Sequence, residues 1–288
     1  MPRSGGKAVR RQVGAWLRSV NYMERLTRYL GVATLGSRWE SPPQVLAAVP
    51  GRRALVLAPH MDDETVGCGG TIRKMATEGK EISVLFMTDG RQGDRDLLNM
   101  SEGDRSRRER ALVMIRKSEA HRACEVLGIT SLRFLDQEDA QLRSTEPVQQ
   151  AVREVLASVK PDIVFTPFFV DQHPDHKMTA KILFDVLNTE KFSFTCLAYE
   201  VWTPLFPNVL VDISGTAEQK RQALHIYQSQ LKDNDLVASV FGLNAYRYMA
   251  VGGTGLAEAF WMGSASEYCA LYRRHVGPSV QHDDSAYS

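Results

Sequence analysis

Ala54-Leu55-Val56-Leu57-Ala58 carries no polar residue, so the strand it predicts has to be covered on both faces. A strand of that kind belongs to a parallel sheet with helices on each side, not to an antiparallel sheet with one face in water. The rest of the sequence supplies the layers. Short apolar runs recur at residues 82–87, 132–135 and 163–166, and helical patterns at 67–78, up to 127, 147–159 and 175–187 separate them. Gly79 and Gly128 stop the first two helices. Residues 195–201 and 209–213 add strands. This alternation predicts an α/β fold: a Rossmann-like, doubly wound, mainly parallel sheet with helices on both faces. The charged segment 89–110 has neither period and is expected to be a long loop leading into a helix.

Three parts are expected along the chain. Residues 1–43 form an N-terminal helical extension, residues 50–275 the main domain, and 276–288 a polar tail expected to be disordered. The first 40 residues hold eight Arg or Lys against two Glu. Val13, Trp16, Leu17, Val20, Met23, Leu26 and Leu30 fall on one face of a helix there. Such a basic amphipathic helix would pack on the domain, mediate a homo-oligomer, or lie on a membrane surface.

Composition narrows the function classes. A net charge of +1 gives no general argument for nucleic acid. No apolar stretch approaches the roughly 20 residues of a membrane span. Cys68, Cys124, Cys196 and Cys269 are scattered without CxxC pairing, which suits free thiols in a reducing compartment. Cytoplasmic location is the default, and Cys68 is expected to be packing.

Two short segments carry the chemistry. Ala58-Pro59-His60-Met61-Asp62-Asp63-Glu64 follows the first apolar run, and Asp171-Gln172-His173-Pro174-Asp175-His176 follows the run at 163–166. In an open α/β sheet, ligands sit beyond the carboxyl ends of strands, where both segments fall. His60 and Asp63 offer ordinary zinc ligand atoms, and one of the two later histidines would complete a set of three. The other histidine would face substrate, with Asp175 orienting it. Asp62 projects differently from Asp63 and suits a base. The competing reading is an acidic helix start, with these carboxylates capping backbone N–H groups.

At these residues the chain resembles the PIG-L/LmbE-like N-deacetylases. The first segment is similar to their His-Pro-Asp-Asp-Glu signature, and the second matches their other signature. Supporting similarity runs through Thr65–Ile72, Arg116 and Glu119, Asp139, Lys220, Ala223, Tyr227-Gln228-Ser229-Gln230 and Ala257-Glu258-Ala259-Phe260. The resemblance implies zinc bound by His60, Asp63 and His176, although the donor set also suits Fe(II). It implies Asp62 as general base, and His173 as an imidazolium at the oxyanion with Asp175 behind it. Arg116 and Asp139 would contact the substrate sugar. Met61 stands where the family usually has proline. Asp171 stands where some relatives place a tyrosine, so a tyrosine-assisted step is not expected.

The activity implied is hydrolysis of an N-acetyl group on an N-acetylglucosamine-type amino sugar, with a small-molecule substrate. A larger sugar-linked amide is the alternative. A phosphoesterase needs more ligands than these motifs supply. A non-catalytic sugar binder fits poorly, because every proposed ligand and the base are present. The sugar conjugate is not legible. Arg91, Arg95, Arg105, Arg107, Arg108 and Arg110 would be either a solvated charged loop or a site for an anionic group. Tyr246, Arg247 and Tyr248 are candidates for a wall over the site.

Overall fold

The all-apolar run forms β2 (Arg53–Ala58), buried from Ala54 onward in the middle of an eight-stranded sheet. The computed structural model describes residues 42–232 and 235–276. The expected helix within the first 40 residues and the polar tail lie outside them. The sheet and the site belong to one compact unit, Pro42–Ala270. Among the described residues no helix is long and apolar enough to cross a membrane.

The strands are β1 (Gln44–Leu46), β2, β3 (Glu81–Thr88), β4 (Ser131–Gln137), β5 (Ile163–Pro167), β6 (Thr195–Tyr199), β7 (Val209–Asp212) and β8 (Ala257–Ser264). Their spatial order is β1-β7-β8-β6-β5-β2-β3-β4. The helices are α1 (Asp63–Thr77), α2 (Glu102–Leu127), α3 (Glu146–Val159), α4 (Pro174–Thr189), α5 (Ala217–Ile226), α6 (Gln228–Leu231), α7 (Leu236–Met249) and α8 (Ala265–Val276). The α/β expectation holds, with one difference. β8 inserts antiparallel between β6 and β7, so the sheet is mixed.

From β2 the chain steps outward through β3 and β4, then returns to β5 on β2's other side. Strand order therefore reverses between β2 and β5, which opens a crevice at their carboxyl ends. His60 leaves β2 at that crevice and His173 follows β5, so topology brings the two motifs together.

The start of α1 is tightly held. A Cβ at Gly67 would run into the Tyr199 ring, whose hydroxyl donates to Leu57 O on β2 at 2.9 Å. At Cys68 (φ −146°) the helix kinks. The kink frees backbone N–H groups as a second helix start would. Glu258 of β8 takes them, accepting from Gly70 N and Thr71 N at 2.8 Å each. Lys220 of α5 donates to Glu258 Oε1 at 2.6 Å, Val66 O at 2.9 Å and Asn244 Oδ1 at 3.1 Å. This buried pair pins α1, α5, α7 and β8 to one another. Cys68 is fully buried, and the four cysteines are free thiols.

Part of the segment expected to be a loop is ordered. A 3-10 turn spans Arg95–Asn99, and α2 begins at Glu102 behind a Ser101 cap. The missed helix start is highly charged because only one of its faces is covered.

Candidate active site

Asp62 is the first element of the site. Its φ is 138°, a conformation that costs a non-glycine residue about 1–3 kcal/mol. Several contacts impose it. Thr65 N and Val66 N donate to Asp62 O at 2.9 and 2.8 Å, and Asp62 N donates to Glu64 Oε2 at 3.1 Å. Arg116 Nη2 donates to Met61 O at 2.8 Å. Glu64 is buried and also accepts from Tyr227 and Thr65 hydroxyls. Although Asp62 occupies the cap position of α1, its side chain makes no capping bond. The helix-start reading therefore does not account for its carboxylate, which lines a cavity of about 490 Å³ and meets Arg116 Nη2 only at 3.4 Å. Burial pushes its pKa up to about 7, against the pull of Arg116 and with the help of Asp63.

His60, Asp63 and His176 turn ligand atoms toward one another. His60 Nδ1 lies 3.1 Å from Asp63 Oδ2 and 3.3 Å from His176 Nε2, which is 3.2 Å from Asp63 Oδ2. A tetrahedral zinc with bonds of about 2.0–2.1 Å has ligand edges of about 3.3–3.4 Å. Two imidazole nitrogens and a carboxylate oxygen at that spacing fit a divalent ion, and His60 and Asp63 also line the cavity. Without the ion, burial opposes charge on both histidines but the carboxylates outweigh it. His60 is held well above the usual range by Asp139, Asp175 and Asp63, and His176 rises to about 9 beside Asp63 and Asp171. Asp63, despite burial, is held well below the usual carboxylate range by the same imidazoles. Protons and metal compete for one set of atoms.

Each histidine is backed by carboxylate. His60 Nε2 is 3.2 Å from both Asp139 Oδ1 and Asp175 Oδ2, and Asp171 Oδ2 lies 3.5 Å behind His176 Nδ1. Such partners fix ring orientation. Asp171 is a participant that the sequence did not reveal, being read only as a missing tyrosine. It also gathers the loop, accepting from His173 N at 2.9 Å and Trp202 N at 3.0 Å. Two other triples of ligand atoms lie within 4.8 Å, His60-His173-His176 and His60-Asp139-Asp175. In the second, both carboxylates share one nitrogen of His60, an arrangement for a hydrogen bond. In the first, His173 Nδ1 already accepts from Asp175 N, which leaves its Nε2 as the available ligand atom.

That contact bears on how Asp175 stands behind His173. Its backbone N–H donates to His173 Nδ1 at 3.2 Å, so His173 caps α4 with that nitrogen. The Asp175 carboxylate turns away, accepting from Ala140 N at 2.8 Å and Leu142 N at 3.3 Å and facing His60. With Nδ1 accepting there, Nε2 is the ring nitrogen left to donate. Burial, His60 and His176 all lower its pKa, in the same sense. Its ring stands edge-on to His60 at 4.6 Å and lines the cavity.

Arg116 and Asp139 also line the cavity. Both are tied to the frame: Arg116 Nη1 donates to Gly90 O at 3.1 Å, and Asp139 Oδ2 accepts from Gln92 N at 2.9 Å. Of the loop arginines, Arg91 pairs with Asp89, Arg105 with Glu109, Arg108 with Asp94 and Arg107 with Asp104. Arg247 pairs with Glu200 on the cavity wall, whereas Tyr246 is exposed and Tyr248 donates to Asp212 Oδ2 at 3.2 Å.

An open α/β sheet with three converging ligand atoms that could hold a metal at its switch point, and a carboxylate beside them that makes no capping bond, has the layout of a hydrolase-like site. The family model for GlcNAc-PI de-N-acetylase (PIG-L) matches residues 55–187. The diacetylchitobiose deacetylase of Thermococcus kodakarensis is 30% identical over 204 residues, covering 64% of this chain and 72% of that protein. The chain belongs to the PIG-L deacetylase family. Among solved structures, N,N'-diacetylchitobiose deacetylase from Pyrococcus horikoshii superposes with a TM-score of 0.66 at 24% identity, over 86% of this chain and 94% of that one. The 4-carboxy-2-hydroxymuconate hydratase of Pseudomonas putida shares the fold at 20% identity and a TM-score of 0.63, over 73% and 95%. The fold alone thus hosts more than one reaction.

Proposed function

We propose that this chain is a metal-dependent hydrolase that removes the N-acetyl group from an N-acetylglucosamine-type amino sugar, releasing acetate and a free amine. His60 Nδ1, Asp63 Oδ2 and His176 Nε2 would hold the ion, zinc being the best fit to two imidazoles and one carboxylate. The observation that carries the reading is their mutual spacing of 3.1–3.3 Å beside an Asp62 carboxylate that caps nothing. When bound, the ion supplies a Lewis acid and lowers the pKa of a coordinated water toward about 7.

The chain's own residues do the rest. Asp62, poised near neutrality, takes the proton of the attacking water at its carboxylate. Attack on the acetyl carbon moves the carbonyl electron pair onto oxygen, and His173 Nε2–H is positioned to donate to that oxygen. Collapse breaks the C–N bond, and Asp62 returns its proton to the leaving nitrogen. Arg116 and Glu64 keep Asp62 in its strained conformation. Arg116 and Asp139 edge the space where the sugar would sit.

Acetate release from N-acetylglucosamine derivatives tests this reading. Zinc-loaded protein should release one acetate per free amine formed, and chelated protein should release none. Cleavage of larger sugar-linked amides with acetamides untouched would replace it by the amidase reading.

A further inference from the structure

The cavity has two kinds of wall. One carries the ligand set, Asp62, Arg116, Asp139 and His173. The other is built by Leu236, Val240 and Leu243 on one face of α7, and by Val201, Trp202 and Pro204 after β6. Most polar groups of this second wall are already engaged. Glu200 accepts from Arg247 Nε at 2.9 Å and from Leu205 N at 2.8 Å. Ser239 Oγ donates to Asp235 O at 2.9 Å, and Asn244 Oδ1 accepts from Lys220 at 3.1 Å. Arg247 also donates to Leu205 O at 2.7 Å, so the ion pair braces the segment carrying Trp202 and Pro204 against α7.

A second sugar ring against this wall would give up water from its hydroxyls and find few partners in exchange. As partners for an anionic group, Arg91, Arg105 and Arg108 are held by carboxylates, and Arg116, which has an open N–H at Nε, belongs to the first wall and not to this one. What the wall offers is carbon. We infer that the substrate is an N-acetylglucosamine glycoside with an apolar aglycone, an alkyl or aromatic group lying between α7 and the segment after β6. The inference rests on the deacetylase reading and specifies its substrate class. Trp202, 57% exposed, stands where such a group would leave the cavity.

The test compares three substrates on zinc-loaded full-length protein: methyl and octyl N-acetylglucosaminide, the latter below its micelle concentration, and N,N'-diacetylchitobiose. Each buried methylene is worth about a factor of four. The octyl glycoside should exceed the methyl glycoside at least tenfold in kcat/KM, mostly through KM, with diacetylchitobiose no better than methyl. Leu243→Asn and Trp202→Ala should each cut the octyl-to-methyl ratio severalfold. That ratio is independent of the folded fraction of a preparation. Equal methyl and octyl values, or a severalfold preference for diacetylchitobiose, would overturn the apolar assignment and leave the deacetylase standing. No acetate from any of the three would overturn the deacetylase reading itself.

Discussion

Two buried polar clusters touch α1, one at its start and one at its kink, and they differ in how their valences are filled. Around Lys220 and Glu258, the ammonium reaches three acceptors, and both carboxylate oxygens take donors. Nothing is left to bind. Around His60, Asp63 and His176, ligand atoms point at one another, and a carboxylate beside them caps nothing. Both clusters are buried and charged, so neither property marks a site. The mark is an unmatched set of donors and acceptors. The closed cluster is scaffold, and it holds in place the helix that carries Asp63 of the open one.

The largest effect should come from emptying the open cluster. His60→Ala, Asp63→Ala and His176→Ala should each lose the metal and lower turnover about 10³-fold or more, since the ion is worth several kcal/mol of transition-state stabilisation. Elemental analysis beside acetate release checks this, and full metal content in all three would break the comparison at its centre. Asp62→Asn should keep the metal and lose about 10²–10⁴ in kcat. A metal-replete Asp62→Asn protein with ordinary kcat would remove Asp62 from the base role.

The closed cluster should respond in stability. Lys220→Met leaves a buried Glu258 unpaired and should cost about 3–5 kcal/mol in a denaturant melt. The double variant Lys220→Met/Glu258→Gln should lose less than the two single changes summed. Metal stoichiometry of the folded fraction should stay at the wild-type value. If Lys220→Met stripped the metal without lowering stability, the two clusters would not be separate.

A smaller effect belongs to pH. In metal-free protein His176 titrates near 9, above the ordinary value of 6.5, because Asp63 and Asp171 hold its proton against burial. A raised folded-state pKa gives stability that is complete below the unfolded value and is lost as pH rises through the folded one. The melting temperature of metal-free protein should therefore drop by a few degrees between about pH 7 and pH 10 beyond that of zinc-loaded protein, in which the metal replaces the proton. Identical pH profiles with and without zinc would contradict that assignment.

Much of this was legible in residues 54–64 and 171–176. An all-apolar strand demands a double-covered sheet, and short motifs at strand ends land in a crevice wherever strand order reverses. The paired signatures therefore named residues that do meet. What stayed hidden depends on contacts between distant segments. The placement of β8 between β6 and β7 rests on pairings with strands distant in sequence, and it brings Glu258 to Gly70 and Thr71, which no local pattern records. Asp175 was assigned to its neighbour His173, yet its carboxylate reaches His60, 115 positions away, because its own backbone N–H occupies the nearer ring. Asp171 looked like a departure from a family pattern until its bonds to the loop were seen. The arginines of 89–110 looked available for an anion, but carboxylates from the same segment take several of them.

The central claim is that one ion in the His60-Asp63-His176 pocket makes this chain a deacetylase. Its most direct test is a titration of chelated protein with zinc, measuring acetate released from N-acetylglucosamine derivatives against bound metal. Activity should rise from background in proportion to metal and reach its maximum at about one ion per chain, as a single three-ligand site requires. Acetate release that survives complete chelation, or that begins only with a second equivalent, would contradict the account.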